Sequence, residues 1–177
     1  MNIVFMGTPE FALPTLEKLY NSSHSIISII TQPDRPKGRG QKQVISPIKN
    51  FAIENNIPVL QPASVNTEEF IQTLLENRPD YIIVVAFGQI LREALLKAPK
   101  QFCINLHPSL LPKYRGAAPI NRAILNGDTL SGVTTMIMDK GMDTGDILLT
   151  REVPIEPNDD AKSLHDKLSE RGGELVL

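Results

Sequence analysis

The sequence predicts an α/β fold, an open and mostly parallel, doubly wound sheet with helices on both faces. Two observations carry that expectation. Short apolar runs alternate with helix-length segments along the chain, the order that buries a parallel sheet between two helix layers. The runs stop at Gly, Pro, Thr, Asn or Asp, residues that turn the chain at a strand's end. With 177 residues, 41% hydrophobic and 21% charged, the chain can bury a sizeable core as one large domain or two small ones.

The first run, Ile3-Val4-Phe5-Met6, enters a tight turn at Gly7-Thr8-Pro9. A largely helical stretch over 9–20 follows, with Thr8 as expected N-cap, Pro9 at the first helical position, and Pro14 delaying or kinking the helix. A second strand is expected at 25–31. Residues 32–46 then break the rhythm with two prolines, two glycines and four basic side chains. A loop of that length is functional or mobile as a rule, and mobility is expected here. Helices are predicted over 47–56, 67–77, 90–97, 118–126 and 160–176, and strands at 59–60, 81–87, 102–107, 133–138 and 147–153. In a Rossmann-like sheet of this kind ligands bind beyond the carboxyl ends of the strands. The positions of interest are therefore 7–8, 31–34, 87–89 and 105–112.

Composition removes several function classes. Net charge is −2, which excludes a general polycation. The single cysteine, Cys103, excludes an internal disulfide and a cysteine-based zinc site. His24, His107 and His165 are too scattered for a short metal motif, and no metal is expected. The amino terminus lacks a basic region of signal-peptide type, and no apolar run reaches the roughly 18 residues that span a bilayer. A cytoplasmic location, without membrane or obligate protein partner, is the expectation. Gly38-Arg39-Gly40 lacks the strand–turn–helix context of a dinucleotide fingerprint, and no phosphate-cradling Lys-Ser/Thr motif occurs.

Three stretches carry candidate chemistry. Between 34 and 49, Arg35, Lys37, Arg39, Lys42 and Lys49 face one aspartate, a local balance of +4. That charge suits a polyanion, and without an interleaved aromatic it points to phosphate contact rather than base stacking. At 103–107, strand alternation puts Cys103, Asn105 and His107 on one face. Spacing alone leaves that amide and imidazole open to two readings, a satisfied buried pair or a site at the ligand edge. The acidic loop Asp139-Lys140-Gly141-Met142-Asp143-Thr144-Gly145-Asp146 lacks EF-hand spacing. One of its aspartates can orient His107 and favour the imidazolium; which one the residues leave open. Ser109 lacks a nucleophile-elbow context, Cys103 reads as a small buried hydrophobe, and His24 and His165 read as surface residues.

The run Asn105-Leu106-His107-Pro108-Ser109-Leu110-Leu111-Pro112, the following Lys113-Tyr114-Arg115-Gly116-Ala117-Ala118-Pro119-Ile120, and Met142-Asp143-Thr144-Gly145-Asp146 together resemble the folate-dependent formyltransferases. The resemblance covers essentially the whole chain. Gly7-Thr8-Pro9-Glu10-Phe11 and the run from Thr31 to Gly40 are similar to the branch that acts on methionyl-tRNA. They do not resemble the glycinamide ribonucleotide branch, whose first turn is glycine-rich.

The resemblance implies transfer of the formyl group of 10-formyltetrahydrofolate to the amino group of initiator methionyl-tRNA. It implies Asn105, His107 and Asp143 as the catalytic trio. Ser109, Leu110, Leu111 and Pro112, with Gly88, Gln89, Ile90 and Leu91, are implied as the folate-binding segments. Arg35, Lys37, Arg39 and Lys42 are implied as contacts to tRNA, and Phe11 as part of the methionine pocket. It also implies that 1–177 is a catalytic domain cut inside its last helix, separate from a second tRNA-gripping domain. The alternatives are a formyltetrahydrofolate hydrolase, a sugar-nucleotide formyltransferase, or a non-catalytic RNA-binding module. The basic stretch argues against the first two, and the trio is left without a task by the third.

Overall fold

The computed structural model describes residues 1–37 and 42–177. Its main sheet has seven strands. In chain order they are β1 (Asn2–Gly7), β2 (Ser25–Ile30), β5 (Val59–Leu60), β6 (Tyr81–Val85), β7 (Cys103–His107), β8 (Leu130–Ile137) and β9 (Ile147–Pro154). They lie side by side as β5-β2-β1-β6-β7-β8-β9. The five from β5 to β7 are parallel, and β8 and β9 complete the sheet antiparallel. The predicted mostly parallel sheet is therefore present, with an antiparallel flank.

The central strands are apolar at successive positions because both faces are covered. Ile3 and Phe5 of β1, with Ile83 and Val85 of β6, enter one core. Val4, Met6, Ile82 and Val84 enter the other. The first core is closed by α1 (Leu13–Tyr20), α2 (Pro47–Glu54), α5 (Pro119–Leu125) and α6 (Ala161–Val176). The second is closed by α3 (Glu68–Asn77) and the short α4 (Glu93–Leu96).

Local chemistry sets the helix ends. Ser46 and Thr67 cap α2 and α3 by accepting the N–H of Lys49 and Phe70, and Asp160 with Ser163 forms a capping box on α6. The expected Thr8 cap is corrected. Pro9 holds the cap position of a 3-10 turn over Glu10–Ala12, and α1 starts only at Leu13 with Pro14 in its first turn, where a missing N–H is harmless. Gly172 and Gly173 do not end α6. Both are buried inside it, and a Cβ on Gly172 would stand 2.4 Å from Leu106 Cδ2, one on Gly173 3.0 Å from the Pro14 backbone. Glycine weakens a helix by about 1 kcal/mol relative to alanine; here it lets α6 lie directly against β7 and α1.

The expected continuous loop over 32–46 is also corrected. Arg35–Lys37 (β3) pairs antiparallel with Lys42–Val44 (β4) in a separate two-stranded ribbon. Arg39 and the expectation of mobility at its tip lie outside the described residues.

Candidate active site

The site is built on β7. Ile104 and Leu106 point into the core beneath α6, which turns Asn105 and His107 to the opposite face, as strand alternation requires. His107 is 5% exposed, and Pro108 then takes the chain out of the strand. Its Nε2 lies 3.0 Å from the Tyr114 carbonyl and its Nδ1 lies 3.5 Å from Asp143 Oδ2. Both neighbours are acceptors, so the doubly protonated ring is the form that can donate on each side. The Nδ1 distance exceeds that of a good hydrogen bond, which leaves this N–H available to a third group. The Asn105 amide, half-buried, has no hydrogen-bond partner among the described residues.

Asp143 reaches His107 by a folded-back loop. Because β8 runs against β7, with Ile137 opposite Ile104 and Thr134 opposite His107, the chain leaves β8 at the amino end of β7. Residues 138–146 then double back across the sheet face as an Ω-type loop, whose neck closes through Ile137 N–H donating to Asp146 O at 2.9 Å. Any Cβ on Gly145 would sit 1.8 Å from the Ile137 carbonyl oxygen, so only glycine fits the neck. Asp139 organises the interior by accepting from Thr144 Oγ1 at 2.8 Å and Gly141 N–H at 3.0 Å. Asp143, at φ +53°, turns its carboxylate to His107 and accepts Gly116 N–H at 2.8 Å. The choice among three aspartates that the residues left open is thus made by the loop's fold.

The turn after His107 is held from β8. Thr134, fully buried, donates to Ser109 O at 2.7 Å and accepts Leu111 N–H at 3.2 Å. Ser109 Oγ donates to Lys113 O at 2.5 Å and is 1% exposed, so the hydroxyl braces the turn. Leu110 packs beneath Gly132, Leu111 is buried and Pro112 is exposed. Positive φ at Tyr114, Gly116 and Ala118 concentrates unusual backbone here, as functional sites often do.

Two cavities meet this framework. One, of about 250 Å³, is lined by Gln89, Ile90, Leu91, Met136, Met138 and residues 139–143. It lies on the sheet face roofed by the Ω loop, and it brings three of the predicted folate-segment residues together with Asp143. The other, of about 460 Å³, lies between Thr8-Pro9, Gln32–Asp34, Val44–Pro47 and Gly88. Gly88, at φ +85°, belongs to this second cavity, and Ser109–Pro112 line neither.

Polar ties fix both walls. Gln89 Oε1 accepts Val65 N–H at 3.0 Å, and Asn66 Nδ2 donates to Ile90 O at 2.8 Å. Gln32 Nε2 donates to Phe87 O at 3.1 Å, and Gln61 Nε2 donates to Gln32 O and Asp34 Oδ1, each at 2.9 Å. Lys49 pairs with Asp34, and that ammonium, followed by Gln61, holds the Asp34 carboxyl below its ordinary range.

Other expectations fall elsewhere. Phe11 is 4% exposed in the core, edge-on to His165 with ring centroids 5.3 Å apart, and lines neither cavity. His24 and His165 are half-buried rather than fully at the surface. Cys103 is buried, and desolvation pushes its thiol up to about 12. Thr134 and the methionines 136, 138 and 142 were not anticipated. A threonine inside a strand looks like any β-former, and only Met142 lay in a stretch already under suspicion. Among the described residues no cluster of three His, Cys, Asp or Glu could hold a metal ion, and no helix is long and apolar enough to cross a membrane.

An amide and an imidazole on one strand, opposed by a loop carboxylate beside an apolar cavity, are equipment for stabilising charge during group transfer. The sequence profile of the formyl transferase family matches residues 1–177, and the chain belongs to that family. It is 57% identical over 176 residues to the methionyl-tRNA formyltransferase of Geobacter sulfurreducens, a match covering 99% of this chain and 56% of that protein. The chain thus spans about half the length of this relative. Among solved structures, the phosphoribosylglycinamide formyltransferase of Streptococcus pneumoniae shares the fold with a TM-score of 0.80 at 20% identity, covering 99% of this chain and 93% of the other. A sugar 3N-formyl transferase solved in the presence of dTDP and 5-N-formyl-THF is 26% identical, with a TM-score of 0.72 and coverage of 99% and 60%.

Proposed function

We propose that residues 1–177 form the catalytic unit of a cytoplasmic enzyme that moves a formyl group from 10-formyltetrahydrofolate to the amino group of initiator methionyl-tRNA. The observation that carries this reading is the uncommitted Asn105 amide on the same face of β7 as His107, whose Nδ1 is flanked by Asp143. Likeness to methionyl-tRNA formyltransferase at 57% identity favours tRNA as acceptor over a sugar nucleotide or water.

The apolar cavity of Ile90, Leu91 and the methionines suits the flat ring system of the folate donor, with the Gln89–Leu91 backbone and the turn at 109–112 at its margins. The acceptor amine enters from the side of Gly88 and the second cavity. Phe11 lies behind that side as a buried support for the methionine pocket. Arg35, Lys37, Arg39 and Lys42 supply cations for the acceptor-stem phosphates.

The neutral amine attacks the formyl carbon, and negative charge gathers on the formyl oxygen. Asn105 Nδ2–H and His107 Nδ1–H stabilise it, a kind of contact whose loss slows reactions by about 10²–10³-fold. As the bond from the formyl carbon to N10 of the donor breaks, the proton lost by the amine is passed to N10. Asp143 orients the His107 ring and accepts the proton in transit.

Formyl transfer to charged initiator tRNA, followed alongside release of free folate and formate, tests the reading. Transfer that requires tRNA and falls by about 10²-fold or more in Asn105→Ala is expected. Formate release without tRNA would convert the reading to a hydrolase.

A further inference from the structure

We infer that Tyr114 and Asp128 are positioning residues for His107: Asp128 anchors the Tyr114 ring, and the anchored residue presses its carbonyl on Nε2 and so decides which edge of the imidazole is turned to Asp143. The inference rests on the reading of His107 given above.

Tyr114 has two ends with different tasks. Its carbonyl meets His107 Nε2 at 3.0 Å, while its ring packs, partly buried, against the core that α5 helps to close. That division follows from φ +58°, a left-handed conformation that a bulky aromatic residue rarely adopts unless its surroundings enforce it. The enforcing groups converge on the ring. Its hydroxyl donates to Asp128 Oδ2 at 2.7 Å and accepts from Asn126 Nδ2 at 2.8 Å. Lys113 Nζ binds the same Asp128 oxygen at 2.8 Å and stands 5.0 Å from the ring centroid; Arg122 Cζ stands 4.9 Å from it.

Asp128 is itself fixed, its N–H donating to Ala123 O at 3.1 Å just beyond α5, with its carboxylate only 16% exposed. The Lys113 ammonium and then the Tyr114 hydroxyl hold that carboxyl below its ordinary range, so it remains an acceptor. A ring needed only for packing would not require four polar partners. With Nε2–H committed to a fixed carbonyl, Nδ1 is the nitrogen that remains for Asp143 and the reacting oxygen. A ring free to flip would offer the wrong edge for part of the time.

Histidine labelling with ¹⁵N tests this directly, since the chain holds three imidazoles and His107→Gln assigns the relevant signal. The wild-type Nε2–H of His107 is expected to be protected from solvent exchange, and Tyr114→Phe and Asp128→Ala to lose at least about tenfold of that protection. In the transfer assay both should lower kcat on the order of 10-fold while KM for the folate donor moves less than about 3-fold. Asp128→Asn, which keeps an acceptor for the hydroxyl, should restore most of both signals. Unchanged protection and kcat in Tyr114→Phe, which removes a single oxygen and carries the test even if Asp128→Ala fails to fold, would overturn the inference. Wild-type transfer by His107→Gln, with the imidazole signals still responding, would instead sink the functional reading and leave the anchoring in place.

Discussion

Replacing Thr134 by valine isolates the contribution of one hydroxyl to the active-site turn. Valine keeps the shape, so no cavity forms, but the Ser109 carbonyl loses a 2.7 Å donor and the Leu111 N–H loses a 3.2 Å acceptor in a region closed to water. Leaving a buried polar group unpaired costs about 1–3 kcal/mol, so two such groups together cost about 2–6 kcal/mol. For a domain of this size that is a fall in Tm of roughly 4–24 °C. Thr134→Ser keeps the hydroxyl and removes a methyl, an expected loss of about 1 kcal/mol. Urea unfolding of the three proteins gives the ranking, with an unchanged m-value as the check that only stability has moved. If the valine protein were as stable as wild type, or more stable than the serine protein, the turn would owe nothing to these bonds and the account of how β8 holds it would be wrong.

Gly172→Ala should destabilise by about 1–3 kcal/mol through overpacking, because its Cβ would lie 2.4 Å from Leu106 Cδ2 in a filled core; thermal unfolding beside an alanine at an exposed α6 position checks it. Acid should weaken the fold through Asp34, Asp80, Asp128, Asp159 and Glu93, each held below its ordinary value chiefly by a lysine partner, the last two to about 2. A depressed folded value means that the unfolded chain takes up protons first. Their contribution is therefore present above the ordinary values near 3.8 and 4.5 and is lost as pH falls towards 2, which Tm measured between pH 7 and 2 should follow. Native Cys103 should resist alkylation by iodoacetamide until the chain is unfolded, since its thiol is pushed up to about 12; rapid native labelling would contradict its burial.

The sheet and the Asn105–His107 pair were legible because they depend on strand periodicity and on apolar runs that both faces demand. From the residues alone Asp143 was legible as one of three carboxylates, and only the resemblance singled it out. Its selection depends on the closed neck at Gly145 and on a backbone turn at positive φ, neither of which has a periodic signature. The β3–β4 ribbon was missed because Pro36 and the dense positive charge argue against strand structure, while its pairing is only three residues long. Thr8 was misplaced by a single step, since a Thr-Pro pair suits an α-helix start and equally the 3-10 turn that occurs. Gly172 and Gly173 fell inside the helix predicted over 160–176, but their use, contact with Leu106 and Pro14, lies far away in sequence and left no local sign.

The missing side chain on the helix side of the Gly172–Leu106 contact also has a mechanical meaning. Most helices rest on a sheet through flexible side chains that absorb small displacements. At Gly172 the helix backbone meets the Leu106 side chain directly, and Leu106 is the residue between Asn105 and His107, so a single side chain separates helix from strand. A shift of α6 by a fraction of an ångström would be passed to β7 through that one side chain, and tightening of β7 around a ligand should stiffen the helix in return. Slower hydrogen exchange along α6 on ligand binding, on the far side of the sheet from the cavity, would be the outward sign of that rigid coupling.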